Sequence, residues 1–115
     1  MELNEYQEKA MTTCLPSCEN DTYMLLNLVG EVGEFASKIA KAIRKKEALI
    51  ANDGDFFLEN QTRQDLILEA GDILWQLSGL CKNNGWTLEE VAQANLFKLA
   101  SRKERGVIVG DGDHR

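Results

Sequence analysis

Apolar residues recur along this chain with the period of a helix, and the polar gaps between these stretches divide it into four helices. The longest pattern runs from Asp21 or Thr22 to about Lys46. At about 100° per residue, Leu25, Leu28, Val29, Val32, Phe35, Ala36, Ile39 and Ile43 fill one broad arc, while Glu31, Glu34, Lys38, Lys41 and Lys45 fill a separate narrow one. The charged arc is graded, with acids first and lysines after. A second long pattern runs from near Thr62 to near Gly85. Leu66, Ala70, Ile73, Leu74, Leu77 and Cys81 form its main apolar arc, and Leu68 and Trp75 lie roughly opposite. Asp65, Glu69, Asp72 and Gln76 make a polar strip between the two. Alone, such a two-sided helix would expose Trp75. Both faces are therefore expected to be covered, one by this chain and one by another subunit, with Glu69 and Asp72 as walls of an enclosed groove.

The shorter elements follow from local signals. Asn4 with Gln7 resembles a capping box, which starts a first helix near residue 5, and Pro16 ends it. Leu15 to Asn20 reads as a turn. Thr62 with Asp65 is another box-like start. Thr87 with Glu90 is a clear capping box for a fourth helix from Leu88 to about Glu104, with Gly106 at its C′ position. Asn52-Asp53-Gly54-Asp55 is turn chemistry. It predicts a loop over Glu47 to Gln61 with room for one short helical turn, and with Phe56, Phe57 and Leu58 packed as a flap. The glycine-rich segment Gly106 to Arg115 reads as a loop. The expected fold is all-α, a four-helix-bundle-like arrangement forming a single domain over residues 1–115.

Composition narrows the partners. At 115 residues the chain can bury one modest core. A net charge of -6 argues against a broad nucleic-acid or membrane surface, which would be basic. A small anionic ligand stays compatible, since a metal and a local basic cluster reverse the field in one pocket. Cys14, Cys18 and Cys81 include no CxxC pair and read as reduced thiols. No apolar run approaches the ~18 residues that span a bilayer. The acidic start Met1-Glu2-Leu3-Asn4-Glu5 lacks a signal-peptide pattern, so a cytoplasmic protein is expected.

The chemistry lies in two acid-x-x-acid steps, Glu31-Val32-Gly33-Glu34 and Glu69-Ala70-Gly71-Asp72. Residues three apart share a helix face, so each step aims two carboxylates one way. A lone step of this kind is ordinarily a solvated face, here aided by Glu34 and Lys38 at i,i+4 spacing. Recurrence on a second helix favours convergence instead. So do Gly30, Gly33 and Gly71, which suit close approach of a helix or ligand at an intrinsic cost near ~1 kcal/mol each. Clustered carboxylates need a counter-charge, and hard oxygen ligands favour Mg²⁺, Mn²⁺ or Ca²⁺. The only histidine, His114, lies in the tail, which argues against iron or zinc and for Mg²⁺, with Mn²⁺ as a substitute. Mg²⁺ typically meets phosphates and activates water. Cations for a phosphate are Lys38, Lys41, Lys45, Lys98, Arg102, Arg105 and Arg115; each also reads as ordinary solubilising charge. Asn95 is a further hydrogen-bonding candidate.

Around these acids stand Leu28-Val-Gly-Glu-Val-Gly-Glu-Phe35, Gly71-Asp-Ile-Leu-Trp75 and Asn95-Leu-Phe-Lys-Leu99 followed by Arg102. Together with the closing Arg105-Gly-Val-Ile-Val-Gly-Asp-Gly-Asp-His-Arg115, the chain from about Tyr6 onward resembles the MazG-like all-α nucleoside triphosphate pyrophosphohydrolases, in their small single-domain form. The resemblance implies hydrolysis of NTPs or dNTPs to the monophosphate and pyrophosphate with Mg²⁺, in nucleotide-pool control or house-cleaning. It implies Glu31, Glu34, Glu69 and Asp72 as metal ligands and catalytic carboxylates, with Glu34 a candidate to orient or deprotonate water. It implies Lys38, Asn95, Lys98 and Arg102 as phosphate contacts, with Arg105 and Arg115 in a tail that closes over the substrate. Assembly as a homodimer or a dimer of dimers, with sites completed between subunits, is also implied. The 34 residues between Glu34 and Glu69 exceed the usual spacing, and the extra length falls in the Glu47–Gln61 segment. Two related activities on the same scaffold, an all-α dUTPase and a phosphoribosyl-ATP pyrophosphatase, and a non-catalytic helical interaction protein are the alternatives.

Overall fold

The computed structural model describes residues 1–115. Its elements are α1 (Leu3–Met11), a 3₁₀ turn (Pro16–Cys18), α2 (Asp21–Arg44), β1 (Ala48–Ile50), β2 (Phe56–Leu58), α3 (Asn60–Asn83) and α4 (Leu88–Arg105). Four helices carry the fold, as the periodicity predicts. No helix is long and apolar enough to cross a membrane.

α2 starts where its cap dictates: the Asn20 side chain accepts a hydrogen bond from the Tyr23 backbone N–H. α4 has both halves of its capping box, Thr87 on the Glu90 N–H and Glu90 on the Thr87 N–H. It ends at Gly106 in the left-handed region, φ 70°. The Val107 N–H reaches back to the Arg102 carbonyl, which completes a Schellman-type closure.

Two of the box-like starts serve other purposes. α1 begins at Leu3, with Glu2 as a cap that makes no side-chain bond. Asn4 Oδ1 instead accepts the Glu89 N–H at 3.0 Å, which satisfies a free donor at the start of α4. Gln7 is buried and accepts the Leu88 N–H at 3.0 Å while donating to the Ser78 and Trp86 carbonyls at 3.2 and 3.1 Å. Both side chains thus pin α4 to α1, because tertiary donors outcompete local ones. α3 likewise begins at Asn60, ahead of Thr62, without a side-chain cap.

The segment expected to be a loop with a helical turn is a β-hairpin. Ala48, Leu49 and Ile50 pair antiparallel with Leu58, Phe57 and Phe56. Two short apolar runs flank an Asp-Gly turn, which is hairpin chemistry. Gly54 takes φ 91°, and Asp53 Oδ1 accepts the Asp55 N–H at 3.0 Å. The flap residues Phe56 and Phe57 stay exposed.

α2 and α3 are the main packed pair. Asn84, past the end of α3, donates to Asp21 at the start of α2, so the pair is antiparallel. α1 lies on α3, and α4 has α1 as its principal neighbour. The small core gathers Met11, Met24, Leu66, Cys81 and Leu88. Gly79 permits it: a Cβ there would stand 2.5 Å from Met24 Sδ. Gly33 and Gly71, expected to allow close approach, meet nothing within 4 Å in this chain. Trp75, expected to be covered by a second subunit, is half-buried within its own chain, donating Nε1–H to the Ala10 carbonyl of α1 at 3.0 Å and to Thr13 Oγ1, just past α1, at 2.9 Å.

Most of the predicted α2 arc remains uncovered: Leu25, Val29 and Val32 are exposed, as are Leu96, Phe97 and Leu99 on α4. The radius of gyration is 17.4 Å, against about 13 Å for a compact domain of this length. The accessible surface is 8449 Å², against about 6,300 Å² for a compact monomer of this mass.

Candidate metal centre

The antiparallel packing of α2 on α3 sets the two acid steps against each other. Glu31, Glu69 and Asp72 each offer a carboxylate oxygen, and these oxygens all lie within 4.8 Å of one another. Glu31 and Glu69 are half-buried. Glu31 Oε2 and Glu69 Oε2 are shielded from water without a hydrogen-bond partner. Burial raises the Glu31 carboxyl above its ordinary range, and the neighbouring Glu34, Asp72 and Glu69 charges add to it, against a small opposing effect from the Asn27 amide. Asp72 also acts on Tyr6, whose phenol is raised by burial first and by that carboxylate second.

Lys38 joins the group from α2, with Nζ 3.1 Å from Glu69 Oε1. That hydrogen bond raises its ammonium above the ordinary lysine range. One lysine against three acids leaves the cluster net negative. Orphaned acceptors, a raised carboxyl and a hard oxygen donor set together fit a divalent cation. Glu34 stands outside the trio and is exposed, close enough to raise Glu31.

The α4 cations are placed elsewhere. Asn95 and Lys98 line a surface cleft of about 530 Å³ with Trp86 and Val91. Lys98 Nζ and Arg102 Nη2 both bind Asp113 Oδ1, at 3.1 and 3.0 Å. These two bonds hold the Asp113 carboxyl below its ordinary range. Arg102 is buried and also donates to the Gly112 carbonyl at 3.2 Å. Arg105 donates to Ser101 Oγ and to the Arg115 carbonyl. Arg115 donates to the Val107, Ile108 and Gly112 carbonyls. The tail therefore folds back on the end of α4. No hydrogen bond or ion pair joins Asn95, Lys98, Arg102, Arg105 or Arg115 to Glu31, Glu34, Glu69 or Asp72 of the same chain.

Two clefts flank the acids. One, of about 360 Å³, takes Glu31 and Asp72 together with Thr13, Tyr23, Asn27, Trp75 and Gln76. The other, of about 280 Å³, carries Lys38, Lys41 and Lys45 beside Thr62 and Asp65. Thr13, Tyr23 and Asn27 were not singled out from the sequence. Spacing held the signal for Asn27, four before Glu31, as for Gln76, four after Asp72.

Residues 19–107 match the MazG nucleotide pyrophosphohydrolase domain. The chain is 38% identical over 122 residues to Gene 37 protein of Mycobacterium phage L5, with the whole of both chains covered. No solved structure matches.

Proposed function

We infer the function from a premise the family match supplies: this chain belongs to the MazG nucleotide pyrophosphohydrolase family. We propose that it hydrolyses nucleoside or deoxynucleoside triphosphates between the α and β phosphates, to the monophosphate and pyrophosphate, in control of the nucleotide pool. The observation that carries this reading is the convergence of Glu31, Glu69 and Asp72 from two facing helices. These three residues would hold Mg²⁺, with Mn²⁺ as a substitute. When bound, the metal supplies neutralisation of phosphoryl charge and a more acidic water. Glu34, beside the trio and in contact with solvent, would orient a water or accept its proton. Lys38 neutralises charge at the phosphate side of the cluster, where it already meets Glu69.

The chain acts as a homodimer or tetramer in this reading. The exposed apolar faces of α2 and α4, and the excess surface over a compact monomer, support it. Pairing would bring Asn95, Lys98 and Arg102 of one subunit toward the carboxylates of another, which their own chain does not do. A panel of NTPs, dNTPs, dUTP and phosphoribosyl-ATP, assayed for pyrophosphate release with and without Mg²⁺, tests the proposal. Mg²⁺-dependent release from at least one is expected, and the panel separates the related activities. No release from any nucleotide overturns it.

A further inference from the structure

The cleft that shares Glu31 and Asp72 with the metal centre contains an amide with nothing to bind. Gln76 is 2% exposed and its Oε1 is buried without a hydrogen-bond partner. Buried amides are ordinarily paired, because their water must be stripped away. Here the residue that carries the unpaired oxygen lines a cleft of about 360 Å³, within the range of small-molecule sites. Asn27 brings a second amide to the same cleft. Trp75, fixed by its bonds to Ala10 of α1 and to Thr13 just past it, gives it an aromatic wall. No cation lines it.

Across the acids, Lys38 leads into the second cleft with Lys41 and Lys45. The two clefts differ in charge, and a nucleotide differs along its length in the same way. The phosphates carry the negative charge and suit the lysines. The nucleoside is neutral, flat on one part and edged with donors and acceptors, and suits amides beside an indole.

We propose that Gln76 determines specificity by reading the hydrogen-bonding edge of the nucleobase. The nucleoside then lies among Asn27, Trp75 and Gln76, and the terminal phosphates point to Lys38, Lys41 and Lys45. The inference rests on the pyrophosphohydrolase reading and adds to it the direction of the substrate and the residue that discriminates bases. Each standard base presents an N–H beside an acceptor, and a carboxamide offers the complement of that pair. Gln76 sits one helical turn beyond Asp72, about 6 Å along the axis. That offset leaves room for a sugar between the base and the reacting phosphate.

The test compares the protein with its Gln76→Leu variant, which keeps the volume and removes the amide. The substrates are the four common dNTPs and an abasic deoxyribose triphosphate with Mg²⁺. For the preferred base, kcat/KM is expected to fall by about 10- to 100-fold. The bases should converge in rate, the abasic substrate should be unaffected, and the metal-free thermal midpoint should hold or rise. An equal loss on the abasic substrate, or discrimination left intact, overturns the proposal. So does a lowered midpoint with unchanged discrimination, which would make Gln76 a structural amide satisfied by water. Equilibrium binding of α,β-methylene dNTPs runs the same comparison without turnover. Base-selective binding lost in Gln76→Leu, with no turnover in the parent, refutes hydrolysis alone. Turnover with selectivity intact refutes the role of Gln76 alone.

Discussion

Replacing Glu31 with Gln removes one charge from a cluster whose ligand oxygens lie within 4.8 Å. At that separation two unit charges repel by about 3.5 kcal/mol at an effective dielectric of 20, and about half that at 40. Glu31 meets Glu69 and Asp72 at this range. Lys38 offsets part of the Glu69 charge, and Asp72 is exposed and screened. The net relief in the metal-free protein at neutral pH is about 1–3 kcal/mol. Urea unfolding in EDTA should therefore show a midpoint about 1 M higher for Glu31→Gln, taking a slope of about 2 kcal/mol/M. The pH sign follows from the raised Glu31 carboxyl. Its folded value lies above its unfolded one, so the native state holds the proton more tightly. Metal-free stability is gained as pH falls through the raised value, and Glu31→Gln abolishes that gain. Mg²⁺ should invert the ranking, since a ligand at 100 times its Kd stabilises the parent by about 2.7 kcal/mol. A variant less stable than the parent in EDTA would refute the crowded, metal-seeking cluster.

Gln7→Leu strands the Leu88 N–H and the Ser78 and Trp86 carbonyls, and should cost about 2–4 kcal/mol in urea unfolding, with α4 detached first by hydrogen exchange. Asp113→Asn should release the tail from α4, read as faster amide exchange over residues 107–115. Because the Asp113 carboxyl is lowered, its clamp is complete above the unfolded value and is lost as pH falls through the lower folded one. Phe97→Glu places a charge on a residue that is 80% exposed in the single chain. In light scattering it should shift the protein toward monomer, whereas an unchanged mass would remove α4 from the proposed interface.

How far the sequence carried the fold depended on whether the signal was local. α4 was legible nearly to the residue, because Thr87, Glu90 and Gly106 act on their own helix ends, and α2 followed from its long apolar period, with Asn20, read only as part of a turn, supplying the cap. Asn4 and Gln7 have the same local pattern but spend their hydrogen bonds on α4, which no spacing rule can anticipate. The Asp53-Gly54 turn was read as a turn, yet its flanking runs were too short for period-two alternation to announce a hairpin. At the site, spacing gave the shared faces of Glu31, Glu69 and Asp72, since helical period is independent of what lies opposite. It could not separate Glu34 from the trio. Nor could it place Asp113 on Lys98 and Arg102, a contact made by a tail without regular structure. Glycine carried a second signal that spacing did not flag: Gly79, unremarked in sequence, makes the close contact with Met24, while Gly33 and Gly71 meet nothing within 4 Å of their own chain.

The most direct measurement is ³¹P NMR of a turned-over (d)NTP with the parent protein and with Asp72→Asn, each with Mg²⁺ and with EDTA. The account predicts monophosphate and pyrophosphate in equal amounts from the parent with Mg²⁺, and no reaction in the other three samples. Release of orthophosphate with a diphosphate, or turnover that survives both EDTA and Asp72→Asn, would contradict it.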